Sequence, residues 1–138
     1  MKVKASVINQ ENSNEVFLQT NDNIHSIKIP PKATGFGSSA NGGELLFLSL
    51  AVCFTNDIYR EAIKMGINVQ KVEVEVSGDF GAECEPANNI NYEVNVKANA
   101  DEKAINELIK RTDKKAEIHN TLRTVNSVTL KRAKAISI

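Results

Sequence analysis

The most constraining feature of this sequence is an apolar segment at 44–65. It is preceded by Asn41 and contains the run LLFLSLAVCF, which has no charged residue on any side. Asn41 and Glu44 have the spacing of a helix-capping box, and Gly66 follows a last turn that contains Lys64, so we predict one helix over 44–65. A helix that is apolar all round must be covered on all sides, unlike an amphipathic surface helix.

The segments around this helix predict short strands and two further helices. Alternating or β-branched runs indicate strands at 3–10, 15–20, 24–29, 69–78 and 90–99, with the alternation of the fourth interrupted at Gln70. Acids at the start and apolar residues at helical spacing predict a helix at 101–112, followed by a shorter one at 114–123 and by one or two strands at 127–138. The order predicts a single α+β domain over 1–138, with antiparallel strands around a long buried central helix.

The central helix also predicts self-association. One six-stranded sheet covers only one side of a helix, and the outer helix covers only part of the rest. A second copy of the chain is the simplest remaining cover. We therefore expect a homodimer in which the 44–65 helix packs against its partner.

Composition excludes several classes of function. Lys+Arg and Asp+Glu are equal at 17 each, which gives no field that favours nucleic acid or a membrane surface. The N-terminus lacks the apolar core of a signal peptide, and no run approaches the ~18 residues of a membrane span, so we expect a cytoplasmic protein. The two cysteines, Cys53 and Cys84, are then expected to be free thiols. Neither is in a C-x-x-C pair and there are only two histidines, so we expect no metal and no cofactor.

The central segment resembles a known family. GGELLFLSLAVCFTNDIYREAIKMGINVQKVEVEVSGDF is similar to the signature of the OsmC and organic hydroperoxide resistance (Ohr) proteins, with a Glu-Leu-Leu helix start, a cysteine nine residues on, a glycine that ends the helix and an alternating strand. AEIHNTLR at 116–123 resembles, more weakly, the second cysteine segment of the family, Cys-Pro-Val-His-x-Thr-Leu. The resemblance implies an intertwined cytosolic homodimer that protects against oxidative stress by reducing organic hydroperoxides with cysteine thiols.

The resemblance also implies site residues. Cys53 matches the attacking cysteine, which the peroxide oxidises to a sulfenic acid, and Glu44 matches the acid at the helix start. The resolving cysteine falls on Ala116, which cannot perform that chemistry. The arginine that stabilises the thiolate in the hydroperoxide branch comes from the N-terminal strands, whereas the first arginine of this chain is Arg60. The attacking position is therefore kept, but its two usual partners are missing.

Another cation could replace the missing arginine. His119 and Arg123 lie in the segment that in the family packs near the thiol, and a histidine is a sensible thiolate partner because it titrates near neutral pH. Arg60 lies on the same helix face as Cys53, but two turns away, and is expected to extend to solvent. Glu44 is about 180° around the helix and ~13 Å from Cys53, so it could partner the thiol only through a kink or a second subunit. Without a partnership, it is a capping carboxylate.

Two functions remain open from sequence. The first is a weak one-cysteine thiol peroxidase acting on organic hydroperoxides through Cys53, whose sulfenic acid an external thiol or Cys84 would reduce. The alternative is a non-enzymatic module that binds a small hydrophobic ligand in a pocket at the dimer interface. Cys84 lies in a loop between Glu83 and Glu85, and we interpret it as an incidental thiol. A Cys–His acyl-transfer enzyme is disfavoured, because no orienting acid or oxyanion donor occurs at a matched position.

Overall fold

A computed structural model describes residues 1–124 of the chain. These residues form five strands and three helices, and the fold class is α+β as predicted. The chain divides into two compact units, the first over Met1–Leu46 and the second beginning at Phe47. The strands expected at 127–138 lie outside the described residues. Within the described part of the chain, no helix is long and apolar enough to cross a membrane.

The first unit contains a three-stranded antiparallel meander. Strands β1 (Val3–Gln10), β2 (Ser13–Thr20) and β3 (Asn23–Ile27) pair in the order β1–β2–β3. Asn12 and Asn21 occupy the left-handed region at the two hairpins, with φ of 58° and 52°, a conformation that asparagine tolerates better than most residues. The two prolines after β3 end the meander, and Pro31 makes only an isolated bridge to Ser38.

Helix α1 (Gly42–Met65) begins two residues before the predicted start, directly after the predicted capping residue Asn41. The Glu44 N–H donates to Asn41 Oδ1 at 2.9 Å, and the Asn41 N–H donates to Glu44 Oε2 at 2.7 Å, so both halves of the capping box are made. At the other end, Gly66 has φ +66°, and the Ile67 N–H donates to the Ala62 carbonyl at 3.0 Å. This is the left-handed glycine cap that stops a helix.

The second unit contains a β-hairpin and two further helices besides most of α1. Strands β4 (Asn68–Asp79) and β5 (Asn88–Asn99) pair antiparallel, and the ladder is irregular between Val69 and Lys71, where the sequence alternation breaks. A bulge at Gln70 keeps the later valines on one face of the hairpin. The described strands therefore form a three-stranded and a two-stranded sheet. Among residues 1–124, the meander and the hairpin are separate sheets and not parts of the one sheet assumed from the sequence.

Helices α2 (Glu102–Lys115) and α3 (Glu117–Arg123) follow β5. The Asp101 side chain caps α2 by accepting a hydrogen bond from the Ala104 N–H at 2.7 Å. The break between the helices falls at Ala116, whose ψ of 105° is extended, and not at residue 113 as the sequence pattern indicated. Ala116 is fully buried. Its small side chain therefore serves the packing between the helices.

One stripe of α1 forms the core of the second unit. Phe54, Ile58 and Ala62 are buried together with Leu108 of α2 and Ala116, and the inward side chains of β4 and β5 pack against them. The opposite face of α1 is exposed in the single chain. The sequence predicted that the helix is covered on all sides. Within a single copy of the chain, only one face is covered.

A buried carboxylate ties α1 to α2. Glu61 has no exposed surface, and it accepts from Lys64 Nζ at 2.6 Å, Arg111 Nε at 2.8 Å and Lys115 Nζ at 2.8 Å. The hydrogen bond from Lys115, followed by those from Lys64 and Arg111, lowers the pKa of Glu61 to about 2 despite its burial. A buried charge is tolerable only when it is paired in this way.

This carboxylate should make stability depend on acid pH. A lowered pKa means that the ionised form stabilises the fold fully above the unfolded pKa of ~4.3, and that this contribution is lost as the pH falls towards about 2. In urea titrations, we expect Glu61→Gln to destabilise the protein at neutral pH, and the difference to narrow below about pH 4. Glu107→Gln, at an exposed position of α2, is the control and should change little. If the native protein and Glu61→Gln still differed as much in free energy of unfolding below about pH 4 as at neutral pH, this account would be contradicted.

Candidate functional site

The Cys53 thiol lies half-buried at the middle of α1. Asp57 follows one turn later on the same helix face, because residues four apart are neighbours on a helix. The thiol donates to Asp57 Oδ2 across 3.7 Å. The backbone N–H of Ile118, in α3, also donates to the sulfur. Cys53 therefore has both a proton acceptor and a backbone donor in place.

Two acids and one arginine surround this thiol. Asp57 is only 4% exposed, and its second oxygen, Oδ1, pairs with Arg60 at 3.0 Å. The same guanidinium lies 3.9 Å from Glu117 in the first turn of α3. Arg60 is exposed, as expected, but it also pairs with these two carboxylates, which the sequence did not predict. It binds the acid next to Cys53.

The surroundings favour the neutral thiol over the thiolate. Burial raises the pKa of Cys53 above its ordinary value, the Ile118 N–H lowers it in part, and the negative charges of Asp57 and Glu117 raise it further. Reactive cysteines are usually found in electropositive surroundings. Around Cys53 the net effect is the opposite one, because the pKa of the thiol is raised.

The same three side chains have the spacing of metal ligands. Cys53 Sγ and the nearest carboxylate oxygens of Asp57 and Glu117 lie within 4.8 Å of one another, the one such group among residues 1–124. A thiolate and two carboxylates could hold a zinc-like ion. Arg60 already supplies a positive charge to both carboxylates, so the acids have a cation partner without a metal.

Glu44, the acid predicted at the helix start, is engaged in the capping box with Asn41. It belongs to the first unit, whereas Cys53 belongs to the second. The capping role is therefore the one that the structure supports for Glu44. A partnership with the thiol remains a prediction.

His119 is a buried residue of α3. It is 4% exposed, and its ring lies 5.5 Å from that of Phe54 and 4.7 Å from that of Tyr92, edge-on to both. Neither ring nitrogen has a hydrogen-bond partner among the described residues. Burial, followed by the positive charge of Arg123, lowers the pKa of His119, so the imidazole is neutral at neutral pH.

Arg123 is paired with an acid of α2. Its Nη2 donates to Asp113 Oδ1 at 2.6 Å, and its Nη1 donates to the Asp113 carbonyl and to Asn120 Oδ1, each at 3.1 Å. The Tyr92 hydroxyl also donates to Asp113. Burial and then the bond to Asp113 raise the pKa of Tyr92 to about 12. Arg123 and Asp113 therefore form an ion pair near His119, in which the two charges neutralise each other.

The other two positions named by the sequence are Ala116 and Cys84. Ala116, at the resolving position, is packed in the core. Cys53 and Cys84 are both free thiols, as predicted, and Cys84 is exposed in the turn before β5.

Sequence reasoning missed Asp57, Glu117, Tyr92 and Asp113. Asp57 carried a usable signal, because it is an acid four residues after Cys53 and therefore lies on the same face of the helix. Glu117 carried none, because its approach depends on where α3 begins.

A family model of OsmC-like proteins matches residues 35–131, well over half of the chain. This chain belongs to the OsmC-like protein family. The described fold agrees, because solved OsmC-like structures superpose on most of this OsmC-like chain. No curated protein sequence matches it.

Three solved structures illustrate the likeness. An OsmC-like protein from Mycoplasma pneumoniae is 23% identical, with a TM-score of 0.60 over 88% of this chain and 89% of that one. An OsmC-like hydroperoxide resistance protein from Jannaschia sp. CCS1 is 15% identical, with a TM-score of 0.56 over 91% and 87%. An organic hydroperoxide resistance protein from Elizabethkingia anophelis, with crystallant-derived thiocyanate bound, is 17% identical, with a TM-score of 0.53 over 89% of each chain. At these identities, the likeness establishes the fold.

If the acids hold Cys53 as a thiol, removal of one charge should make it more reactive. We expect Glu117→Gln to increase the rate of alkylation of Cys53 by iodoacetamide at neutral pH by about two- to threefold, since Glu117 is largely exposed and its effect is screened by water. Glu102→Gln, an exposed acid of α2, is the matched control. Mass spectrometry assigns the label to Cys53 or Cys84. A slower reaction in Glu117→Gln would contradict the electrostatic account.

Proposed function

We propose that this OsmC-like protein reduces organic hydroperoxides slowly, with Cys53 as its only reacting sulfur. The observation that carries the proposal is the half-buried thiol with a carboxylate acceptor at 3.7 Å and a backbone N–H on the sulfur. A nucleophile beside a base that a third group orients is the general arrangement of covalent catalysis. Here Asp57 is the base, and Arg60 is the group that orients it.

The reaction follows from these positions. Asp57 accepts the thiol proton, and the sulfur attacks one peroxide oxygen. A sulfur–oxygen bond forms as the oxygen–oxygen bond breaks, so the sulfur is oxidised to a sulfenic acid and the peroxide leaves as an alcohol after it takes up a proton. An external dithiol then reduces the sulfenic acid, yielding water, a disulfide and the free thiol. The dithiol must act on the sulfenic acid itself, because residue 116 is alanine and supplies no resolving sulfur.

The same site accounts for a slow rate. Asp57 and Glu117 favour the neutral thiol, and even an ordinary thiol, with a pKa of about 8.5, is only a few per cent ionised at neutral pH. Relatives of similar fold are hydroperoxide resistance proteins, which supports the substrate class. The likeness gives no reason to expect a fast reaction, because the resolving cysteine and the N-terminal arginine expected from the resemblance are missing here.

Stopped-flow oxidation of the reduced protein by cumene hydroperoxide tests the proposal. We expect a rate at neutral pH no faster than that of a free thiol, and a rise with pH because the thiolate fraction rises. Dimedone should trap a sulfenic acid at Cys53. Cys53→Ser should abolish peroxide consumption, while Cys84→Ser leaves the first oxidation step intact. Consumption that survives in Cys53→Ser would overturn the proposal.

The acids beside Cys53 favour a second candidate, a non-enzymatic module that binds a small hydrophobic ligand in a pocket at the dimer interface. A thiol held neutral by two carboxylates is poorly suited to attack a peroxide. The two candidates differ in one result. If Cys53 stays reduced while free thiols in the same solution are oxidised, the binding role is favoured.

We also propose that the protein is a homodimer, formed through the uncovered face of α1. Four large apolar residues lie along that face within one stripe and are 42–80% exposed in the single chain: Leu48, Val52, Tyr59 and Ile63. A contiguous apolar patch of this kind marks an interaction surface. A second copy is its expected cover, because the same stripe on the partner is self-complementary about a two-fold axis.

A charge on this stripe should prevent dimerisation. We expect the native protein to sediment as a dimer at micromolar concentration and Val52→Glu to sediment as a monomer, because the new carboxylate would lose its water in the interface. Lys103→Glu, on the exposed side of α2, is the control and should stay dimeric. A native protein that is a stable monomer under these conditions would exclude the interface.

A further inference from the structure

The second unit contains a small pocket, separate from the Cys53 contacts described above. Its volume is about 180 Å³, and six side chains line it: Leu50, Ile90, Tyr92, His119, Leu122 and Arg123. Drug-sized ligands occupy pockets of ~300–1,000 Å³, so an occupant of this one must be smaller, about the size of one aromatic ring. Leu50, Ile90 and Leu122 make three of the walls apolar.

His119 is the feature of this pocket that packing does not explain. The residue is 4% exposed, and both ring nitrogens lack a partner among residues 1–124. A buried polar group without a hydrogen bond destabilises the fold, and such groups are rare unless a ligand or water completes them. The rings of Phe54 and Tyr92 hold the imidazole in place. Binding a ligand would therefore cost little conformational entropy of the His119 side chain, because the side chain is already held in place.

The charges around the pocket limit the kind of ligand. Arg123 is neutralised by Asp113 at 2.6 Å, and the Tyr92 hydroxyl is directed to the same carboxylate. No uncompensated charge in the described lining would hold an anion or a cation. A neutral imidazole has one donor and one acceptor nitrogen, so it is matched by a group that can both donate and accept.

We propose that this pocket binds a small neutral molecule with an apolar body the size of one ring and one hydroxyl-like head that hydrogen-bonds to His119. The body would lie against Leu50, Ile90 and Leu122. The inference goes beyond peroxide reduction, since it uses neither the Cys53 sulfur nor its acids. It would hold if Cys53 proved inert.

Benzyl alcohol, toluene and benzoate are suitable probes, because they share a ring and differ in the head group. The titrations follow the imidazole NMR signals of the full-length native protein, in which exposed His25 of β3 is an internal control. We expect benzyl alcohol to shift the His119 signals, to leave those of His25 in place, and to bind at least about fivefold more tightly than toluene, the gain of one net hydrogen bond. Benzoate should bind more weakly than the alcohol.

The variant His119→Phe keeps a ring of similar size and removes both nitrogens. It should bind toluene and benzyl alcohol with equal affinity. Because the variant has no imidazole at residue 119, binding is followed through the NMR signals of the ligand ring. Equal binding of the two by the native protein, binding of benzoate as tight as that of the alcohol, or no shift of His119 would each overturn the inference. These outcomes are read from the native protein, so they stand even if the variant fails to fold. Loss of peroxide reduction would leave them unchanged.

Discussion

The carboxylate of Asp57 is hydrogen-bonded to the Cys53 thiol and, together with burial, favours its protonated form. One of its oxygens accepts from the thiol and the other pairs with Arg60, so its position is fixed from both sides. Its negative charge disfavours a thiolate at Cys53, while its oxygen can accept the thiol proton. A site of this kind favours a protonated sulfur that reacts slowly. The surroundings of Cys53 therefore have the electrostatic sign opposite to that usually found around reactive cysteines.

The central helix serves several purposes that compete for its surface. One stripe builds the core of the second unit, and Glu61 at its inner edge binds the cations of α2. The face with Leu48, Val52 and Ile63 is exposed in the single chain. Cys53 lies between the two, which explains why its sulfur is half-buried. Burial alone then raises the pKa of the thiol, before any acid acts on it.

Much of this fold could be predicted from the sequence, because its signals are local. The capping box of Asn41 and Glu44, the glycine cap at Gly66 and the bulge at Gln70 depend only on neighbouring residues. The division into two sheets could not be predicted, because alternation gives strands but not their partners. In the candidate site, the resemblance pointed to Cys53, and helical spacing could have added Asp57. Glu117 and the packing of His119 depend on the break at Ala116, which the sequence pattern misplaced by about one turn.

The central claim is that the surroundings of Cys53 keep it protonated. The ultraviolet absorbance of the thiolate, followed against pH in Cys84→Ser protein, measures this directly when the signal of a variant with neither cysteine is subtracted. The account predicts a midpoint above the ordinary thiol value of about 8.5, and a lower midpoint when Glu117→Gln is added. A midpoint near or below neutral pH would contradict it.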